Sequence, residues 1–322
     1  MNVSLAYLEQ CAAETGYAPA TLEKVTRLGE LAAGIARHPL LGCALTLKGG
    51  TASNLCLGSA PARLSVDLDY NYVGHTEREA MLADRPGIEE AVKTLAQRFG
   101  FRVQWSADTF AGRKVFAIYH SVLGPESRVE VDLNFLWRVP LAGVREMELW
   151  QPGELDRPRV RVVSLHELCV GKFLAFLDRS APKDVHDIGT LAEMAADTLQ
   201  SPLFRGLFVA LSASLPHPLS TYNRQHIEAR LTRGMIQEQL LPVLVVDRRP
   251  DRDELIERAW RAVAPFVGLT VQEQEYVDLI HDGIVRPELL FPEDHVFAER
   301  IASHPAILWK VTNVLQERKK RG

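Results

Sequence analysis

The sequence predicts an α+β protein, with a small mixed-sheet domain over residues 1–155 and a helical domain over residues 156–322. Three observations predict it. Between about residues 43 and 137, several runs alternate polar and apolar residues with the strand period of two. Segments of helical period, near 20–38 and 77–99, are interleaved with those runs. After "QPGELDRPRV" the texture changes, and helical periodicity dominates residues 164–322.

The first helix is marked by Leu22, Val25, Leu28, Leu31 and Ile35 at helical spacing, and His38-Pro39 stops it. "CALTLKGG" reads as a short apolar strand ending in a Gly-Gly turn, and "TASNLCLG" as a short helix begun at that turn. "RLSVDLDYNYVG" alternates and reads as a strand. The helix at 77–99 is expected to start or break near Pro86-Gly87. "FRVQWSAD", "RKVFAIYHSV" and "SRVEVDLNFLW" are three strand-like runs separated by Gly, Pro and Ser. In the second half, "VDRRPDRDE" reads as an exposed charged loop. There is no internal repeat and no low-complexity segment.

Composition narrows the function classes. A net charge of −4 gives no global signature of nucleic-acid binding. A basic face for a nucleic acid has to be assembled from scattered residues such as Arg98, Arg102, Arg113, Lys114 and the C-terminal run Arg318, Lys319, Lys320, Arg321, whose blander reading is a solvated tail. No apolar run reaches the roughly 20 residues needed to span a bilayer. The N-terminus lacks a basic region followed by a long apolar core, so no membrane association and a cytoplasmic location are expected. Cys11, Cys43, Cys56 and Cys169 form no C-x-x-C pair and read as reduced thiols, mostly in the core.

The chemistry concentrates in "LKGGTASNLCLGSAPARLSVDLDYNYVG". As a strand, Arg63, Ser65, Asp67 and Asp69 share one face, while Leu64, Val66, Leu68 and Tyr70 share the core face. The two aspartates are then roughly 7 Å apart along the strand. In "RVEVDLNF", Arg128, Glu130, Asp132 and Asn134 face one way and Val129, Val131 and Leu133 the other. If this strand lies beside the first, Asp132 is a third carboxylate over the same spot. Three carboxylates suit a site with two divalent ions and in-line phosphoryl or nucleotidyl transfer. The Gly49-Gly50-Thr51 turn into a helix offers backbone N–H groups to phosphate oxygens, although no Gly-Lys-Ser/Thr of a P-loop follows. Each feature alone has a plain explanation in a solvated strand or an ordinary turn. Their order in one chain argues for a site.

A second signal lies in "SLHELCVGKFLAFLDRSAPKDVHDIGTL", which opens with a capping box, Ser164 with Glu167. Lys172 falls inside the apolar stripe of Leu165, Leu168, Cys169 and Phe176. Such a lysine either snorkels at the rim or aims at a bound polyanion. After Pro182, Asp184 and Asp187 occupy the first turn of the next helix, where capping is their ordinary role, yet Asp184 shares a stripe with Ile188 and Leu191. "HELCV" is not a zinc H-E-x-x-H motif, since Val170 stands at the second ligand position, and His186-Asp187 lacks partner histidines.

Together, "LKGGTASNLCL…RLSVDLDY", "VEVDLNF", "VSLHELCVGKFLAFLDR" and "PKDVHDI" resemble the motifs of the AbiEii/AbiGii nucleotidyltransferase toxins, which include MenT-type toxins. "RPELLFPE" and "HPAILWKVTNVL" resemble that family's helical tail. The resemblance implies a polymerase-β-like core with a C-terminal helical domain, contributing Lys172 and Asp184. It implies Mg²⁺- or Mn²⁺-dependent transfer of a nucleotide from an NTP to the 3′ end of tRNA, which blocks translation, and a cognate antitoxin. Asp67 and Asp69 would be metal ligands and catalytic, joined by Asp132 as a metal ligand. Gly49, Gly50, Thr51 and Ser65 would line the phosphates, with Arg63 as a further phosphate contact or an aspartate partner. Lys172 would hold the triphosphate, and Asp184 would complete the site or activate the acceptor hydroxyl. Ser65 is the candidate hydroxyl for phosphorylation by an antitoxin. The family often has a lysine two residues before the second-motif aspartate, where this chain has Glu130. The alternatives are transfer to a small-molecule or protein hydroxyl, as in antibiotic inactivation, and a catalytically idle NTP-binding scaffold.

Overall fold

The structure is a computed structural model that describes residues 3–109 and 111–321; the side chain of Arg321, last of the C-terminal basic run, lies outside that description. The chain forms two compact units, Met1–Ser164 with Gln237–Arg249, and Leu165–Ile236 with Pro250–Gly322.

Among its described residues the first unit holds seven strands: β1 (Leu45–Lys48), β2 (Asp67–Tyr72), β3 (Arg102–Trp105), β4 (Gly112–His120), β5 (Glu126–Asn134), β6 (Val144–Glu148) and β7 (Arg159–Val163). They form one mixed sheet in the order β3-β4-β5-β2-β1-β7-β6. β2 runs parallel to β5, and β1 parallel to β7; the other neighbours are antiparallel. One sheet face is apolar, with Leu68, Val129, Val131, Leu133 and Val162 each at most 1% exposed. The helix Pro19–Arg37 packs against β5 and β7 on the unit's core, burying Leu22, Val25, Leu28, Leu31 and Ile35. Each such side chain contributes about 1.5–3 kcal/mol by leaving water. That outweighs the roughly 1 kcal/mol cost of each of the two interior glycines, Gly29 and Gly34, which admit Gln151 and Phe99 at close range.

Several boundaries differ from those the sequence predicts. The helix Arg78–Arg98 runs unbroken through Pro86. Proline there costs about 3 kcal/mol, and burial of Met81, Ile88, Val92 and Ala96 and the pairing of Arg85 with Glu89 at 2.8 Å and with Asp108 offset it. The sheet also continues past residue 155 through β6 and β7 to Ser164. A division at 155/156 therefore cuts the sheet before its last strand in sequence. The segment Gln237–Arg249 returns to this unit, where the Pro242 carbonyl accepts from Thr21 Oγ1 at 2.8 Å and the Val243 carbonyl from the Leu64 N–H at 2.8 Å.

The second unit is helical. Phe173, Phe204, Phe208 and Phe266 pack with ring centroids 5.1–6.1 Å apart, in edge and stacked contacts. Arg205 ties three segments together by donating to Glu273 at 2.7 Å and to the carbonyls of Phe266 at 2.8 Å and Gly268 at 2.6 Å. The basic run at 318–321 lies within the helix Pro305–Arg321, and Arg318 pairs with Asp282. Among the described residues, no helix is long and apolar enough to cross a membrane. None of the four cysteines is in a disulfide; Cys11, Cys56 and Cys169 are buried and Cys43 is exposed.

Candidate active site

The acidic face forms at the junction of β1, β2 and β5. Asp67 and Asp69 lie on β2, and the parallel register sets Asp69 beside Asp132 and Asp67 beside Glu130. Residues paired in register project to the same face of a sheet, so Asp67, Asp69 and Asp132 share the face opposite the core. β1 pairs on the other side of β2 and sets Lys48 against Asp69. β4 sets Lys114 against Asp132, and the Lys114 ammonium lies 3.6 Å from Glu130 and 3.8 Å from Asp132.

The electrostatics follow from this crowding. Burial, and then the neighbouring Asp69 carboxylate, raise the Asp132 carboxyl above the usual aspartate range; Glu130 adds to the rise, and Lys48 and Lys114 oppose it. The patch therefore carries an excess of negative charge that a divalent cation would relieve. Among the described residues, no three His, Cys, Asp or Glu side chains converge into a ready-made metal cage. A divalent ion placed here would draw on only a few of these carboxylates, with water and substrate phosphates completing its shell, as Mg²⁺ usually has them.

The Gly49-Gly50 turn abuts the same carboxylates. Gly49 adopts φ +70°, a left-handed conformation that side chains disfavour. A Cβ at Gly49 would run into the Asp69 carboxylate, with Cγ only 2.8 Å away. The short helix Gly49–Leu55 starts at this turn, and the Gly50 carbonyl accepts from Ser53 Oγ at 3.2 Å and Asn54 Nδ2 at 3.0 Å. Thr51 is fully buried, and its hydroxyl donates to the Asp67 carbonyl. Its side chain thus anchors the start of β2 and does not line an open phosphate site.

Arg63 and Ser65 also depart from the sequence-based placement. β2 begins at Asp67, so these two do not share a strand face with the aspartates. The backbone at Leu64 is bonded to Val243 and not to a neighbouring strand. Arg63 is 2% exposed, with its guanidinium donating to the Leu64 carbonyl at 2.8 Å, and Ser65 is 5% exposed. Both residues are thus buried, and neither lies on the strand that carries Asp67 and Asp69.

In the second unit, Lys172 is buried on the helix Leu165–Arg179. Its ammonium lies 2.6 Å from Asp187 and 3.5 Å from Asp184, and Arg179 Nε lies 2.6 Å from Asp184. Ser180, at φ +50°, reverses the chain, and Pro182 begins the next helix, Pro182–Met194, which carries both aspartates. The buried lysine of the sequence is therefore one member of a Lys-Asp-Asp-Arg cluster. Asp187, which the motif reading did not assign to the site, is the lysine's nearest ionic partner, and Arg179, also unassigned, pairs with Asp184. Lys48 was also missed: it precedes the Gly-Gly turn in sequence, but only the β1–β2 register sets it beside Asp69. Of the proposed basic residues, Arg113 is committed to Glu89 at 2.9 Å and stacks on Trp105, and Arg102 pairs with Glu126 at 2.8 Å.

Comparison with known proteins agrees with this architecture. The family model described as "Nucleotidyl transferase AbiEii toxin, Type IV TA system" matches residues 31–276. Among solved structures, MenT4, a nucleotidyltransferase toxin from Mycobacterium tuberculosis H37Rv, is similar with a TM-score of 0.65 at 18% identity, over 95% of this chain and 99% of that one. No curated protein matches.

Proposed function

The chain belongs to the AbiEii family of nucleotidyltransferase toxins, and from that premise we propose that it transfers NMP from an NTP to the 3′ end of tRNA and so blocks translation. The observation that carries the site assignment is the register that gathers Asp67, Asp69 and Asp132 on one open face beside the Gly49 turn. In the reaction, the acceptor hydroxyl attacks the α-phosphorus, a phosphodiester forms and pyrophosphate leaves. Asp67, Asp69 and Asp132 would hold Mg²⁺ or Mn²⁺. When bound, such an ion neutralises phosphate charge and orients the attacking and leaving oxygens. The left-handed Gly49 lets the backbone approach the phosphates without displacing Asp69. Lys172, as triphosphate contact, and Asp184, as acceptor activator, are assigned by family resemblance. The family's description as a toxin–antitoxin system also supports a cognate antitoxin as partner.

The test is label transfer. Protein, Mg²⁺ and total tRNA are incubated with each α-³²P-labelled NTP, beside Asp67→Asn and Lys172→Ala. Label on tRNA that falls about 10²–10³-fold in Asp67→Asn supports the proposal. Transfer by Asp67→Asn at the wild-type rate refutes the site. No label on any RNA, with the protein folded and binding NTP, refutes the tRNA acceptor.

A further inference from the structure

Four adjacent strands place Lys48, Asp69, Asp132 and Lys114 in one transverse row, cation–anion–anion–cation, by direct register. The two lysines are not equivalent. Lys48 adjoins the Gly49 turn, whereas Lys114 is held over β5 on the far side of the carboxylates. Three strand spacings, or roughly 14 Å, separate their backbones. In-line transfer puts the incoming hydroxyl and the leaving pyrophosphate on opposite sides of the phosphorus. With the turn side given to the nucleotide's phosphates, the Lys114 side belongs to the acceptor.

We propose that Lys114 is a substrate-binding residue that takes a backbone phosphate of a nucleic-acid acceptor next to its reacting 3′ end. This rests on the nucleotidyltransferase assignment above and adds the residue that selects the acceptor class. Lys114 is available for the task. Its side chain is 48% exposed, and its contacts to Glu130 and Asp132, at 3.6 and 3.8 Å, are ion pairs too long to be good hydrogen bonds. A phosphate oxygen offers it shorter, charge-assisted bonds. Beside it on the same face, in register with Glu130, is Phe116, half-buried under the Arg128 guanidinium at 4.8 Å. An aromatic ring with an adjoining cation is a platform on which an unpaired 3′ base stacks. A neutral small-molecule hydroxyl would gain nothing from Lys114, whereas an RNA end carries its phosphodiester beside the terminal hydroxyl.

The experiment measures tRNA binding by fluorescence anisotropy over a salt series, and NTP binding in parallel, for the wild type, Lys114→Gln and Lys114→Arg. Lys114→Gln is expected to weaken tRNA binding about tenfold. It should lower the slope of log Kd against log salt by about 0.7–0.9, the loss of one phosphate contact. NTP affinity should stay within about twofold, and Lys114→Arg should restore most of the loss. An unchanged slope and affinity, an equal loss of NTP binding, or no tRNA binding by the wild type overturns the inference. Asp67→Asn separates the two levels: if it abolishes transfer while Lys114→Gln leaves tRNA binding intact, only the Lys114 role fails. If transfer survives Asp67→Asn, the assignment beneath it fails.

Discussion

Replacing Lys172 by methionine removes the cation from a buried cluster while keeping most of the length of the side chain. The side chains of Lys172, Asp184 and Asp187 are 7%, 2% and 1% exposed, so solvent cannot take over the lost contacts. Breaking a buried pair on one side costs about 3–5 kcal/mol. Arg179 still holds Asp184 at 2.6 Å, so the main loss is the 2.6 Å contact to Asp187, and the lower end, about 3 kcal/mol, is expected. For a unit of this size that lowers Tm by roughly 6–12 °C. In the double variant Lys172→Met/Asp187→Leu the carboxylate that leans most on the lysine is gone as well, and Asp184 keeps Arg179 at 2.6 Å, so at least half of the loss should return, since apolar replacement of a buried pair is often neutral.

Thermal unfolding followed by circular dichroism on the wild type, both single variants and the double variant gives the cycle. A coupling energy of about 2 kcal/mol or more supports the cluster. A single variant costing under about 1 kcal/mol, or a double variant as unstable as the sum of the singles, refutes the reasoning. The same proteins decide what the ammonium is for. A double variant that folds like the wild type but transfers no nucleotide, where Asp187→Leu alone still does, assigns Lys172 to substrate. One that folds and transfers normally makes the cluster purely structural.

Gly49→Ala should cost about 1–2 kcal/mol from its left-handed backbone and, by pushing Asp69 aside, cut nucleotidyl transfer about 10²-fold; a folded variant with wild-type turnover would remove Gly49 from the site. Thr51→Val should cost about 1 kcal/mol through the lost bond to the Asp67 carbonyl, with a larger effect on kcat than on the KM for NTP; a selective rise in KM would return Thr51 to the phosphate side. Asp132 has a pKa raised by burial and by Asp69, so its favourable contribution is full below about pH 4 and lost as pH rises through the folded value. In EDTA, Asp132→Asn should therefore melt above the wild type near neutral pH, with the gap closing toward pH 4. A lower Tm at neutral pH, or a gap that widens on acidification, contradicts the electrostatic account.

What the sequence displays and what it conceals divide along a physical line. The period-two pattern of "RVEVDLNF" and "VDLDY" identifies a core face and an acidic face because alternation is local to each strand. The helix Pro19–Arg37 is equally visible, since each residue of its apolar stripe sits three or four positions from the next. Partner choice is not local. That β5 lies parallel to β2, and that β4 then carries Lys114 to Asp132, depends on a sheet order that skips through the chain. The same limit explains Arg63 and Ser65: alternation extends the strand back through them, but at Leu64 the backbone partner is Val243, from a segment nearly 180 residues on.

The row of lysines and aspartates shows how this shapes function. In sequence, Glu130 stands where the family often has a lysine, and the second motif looks depleted of positive charge. In the sheet, the Lys114 ammonium lies within 4 Å of both Glu130 and Asp132, so a cation is restored beside the aspartate from a different strand. A charge delivered across strands has a different geometry from one delivered along the same strand: it approaches from the β4 side, away from the Gly49 turn, and leaves the β1 side to Lys48. Lys114 and Glu130 therefore ought to be coupled. Glu130→Gln alone frees Lys114 and should tighten tRNA binding, whereas in a Lys114→Gln background the same change should have a clearly smaller effect, the part due to Arg128, which pairs with Glu130 at 3.0 Å. Equal effects of Glu130→Gln in both backgrounds would mean that the carboxylate repels the acceptor directly and that Lys114 is only its surface partner.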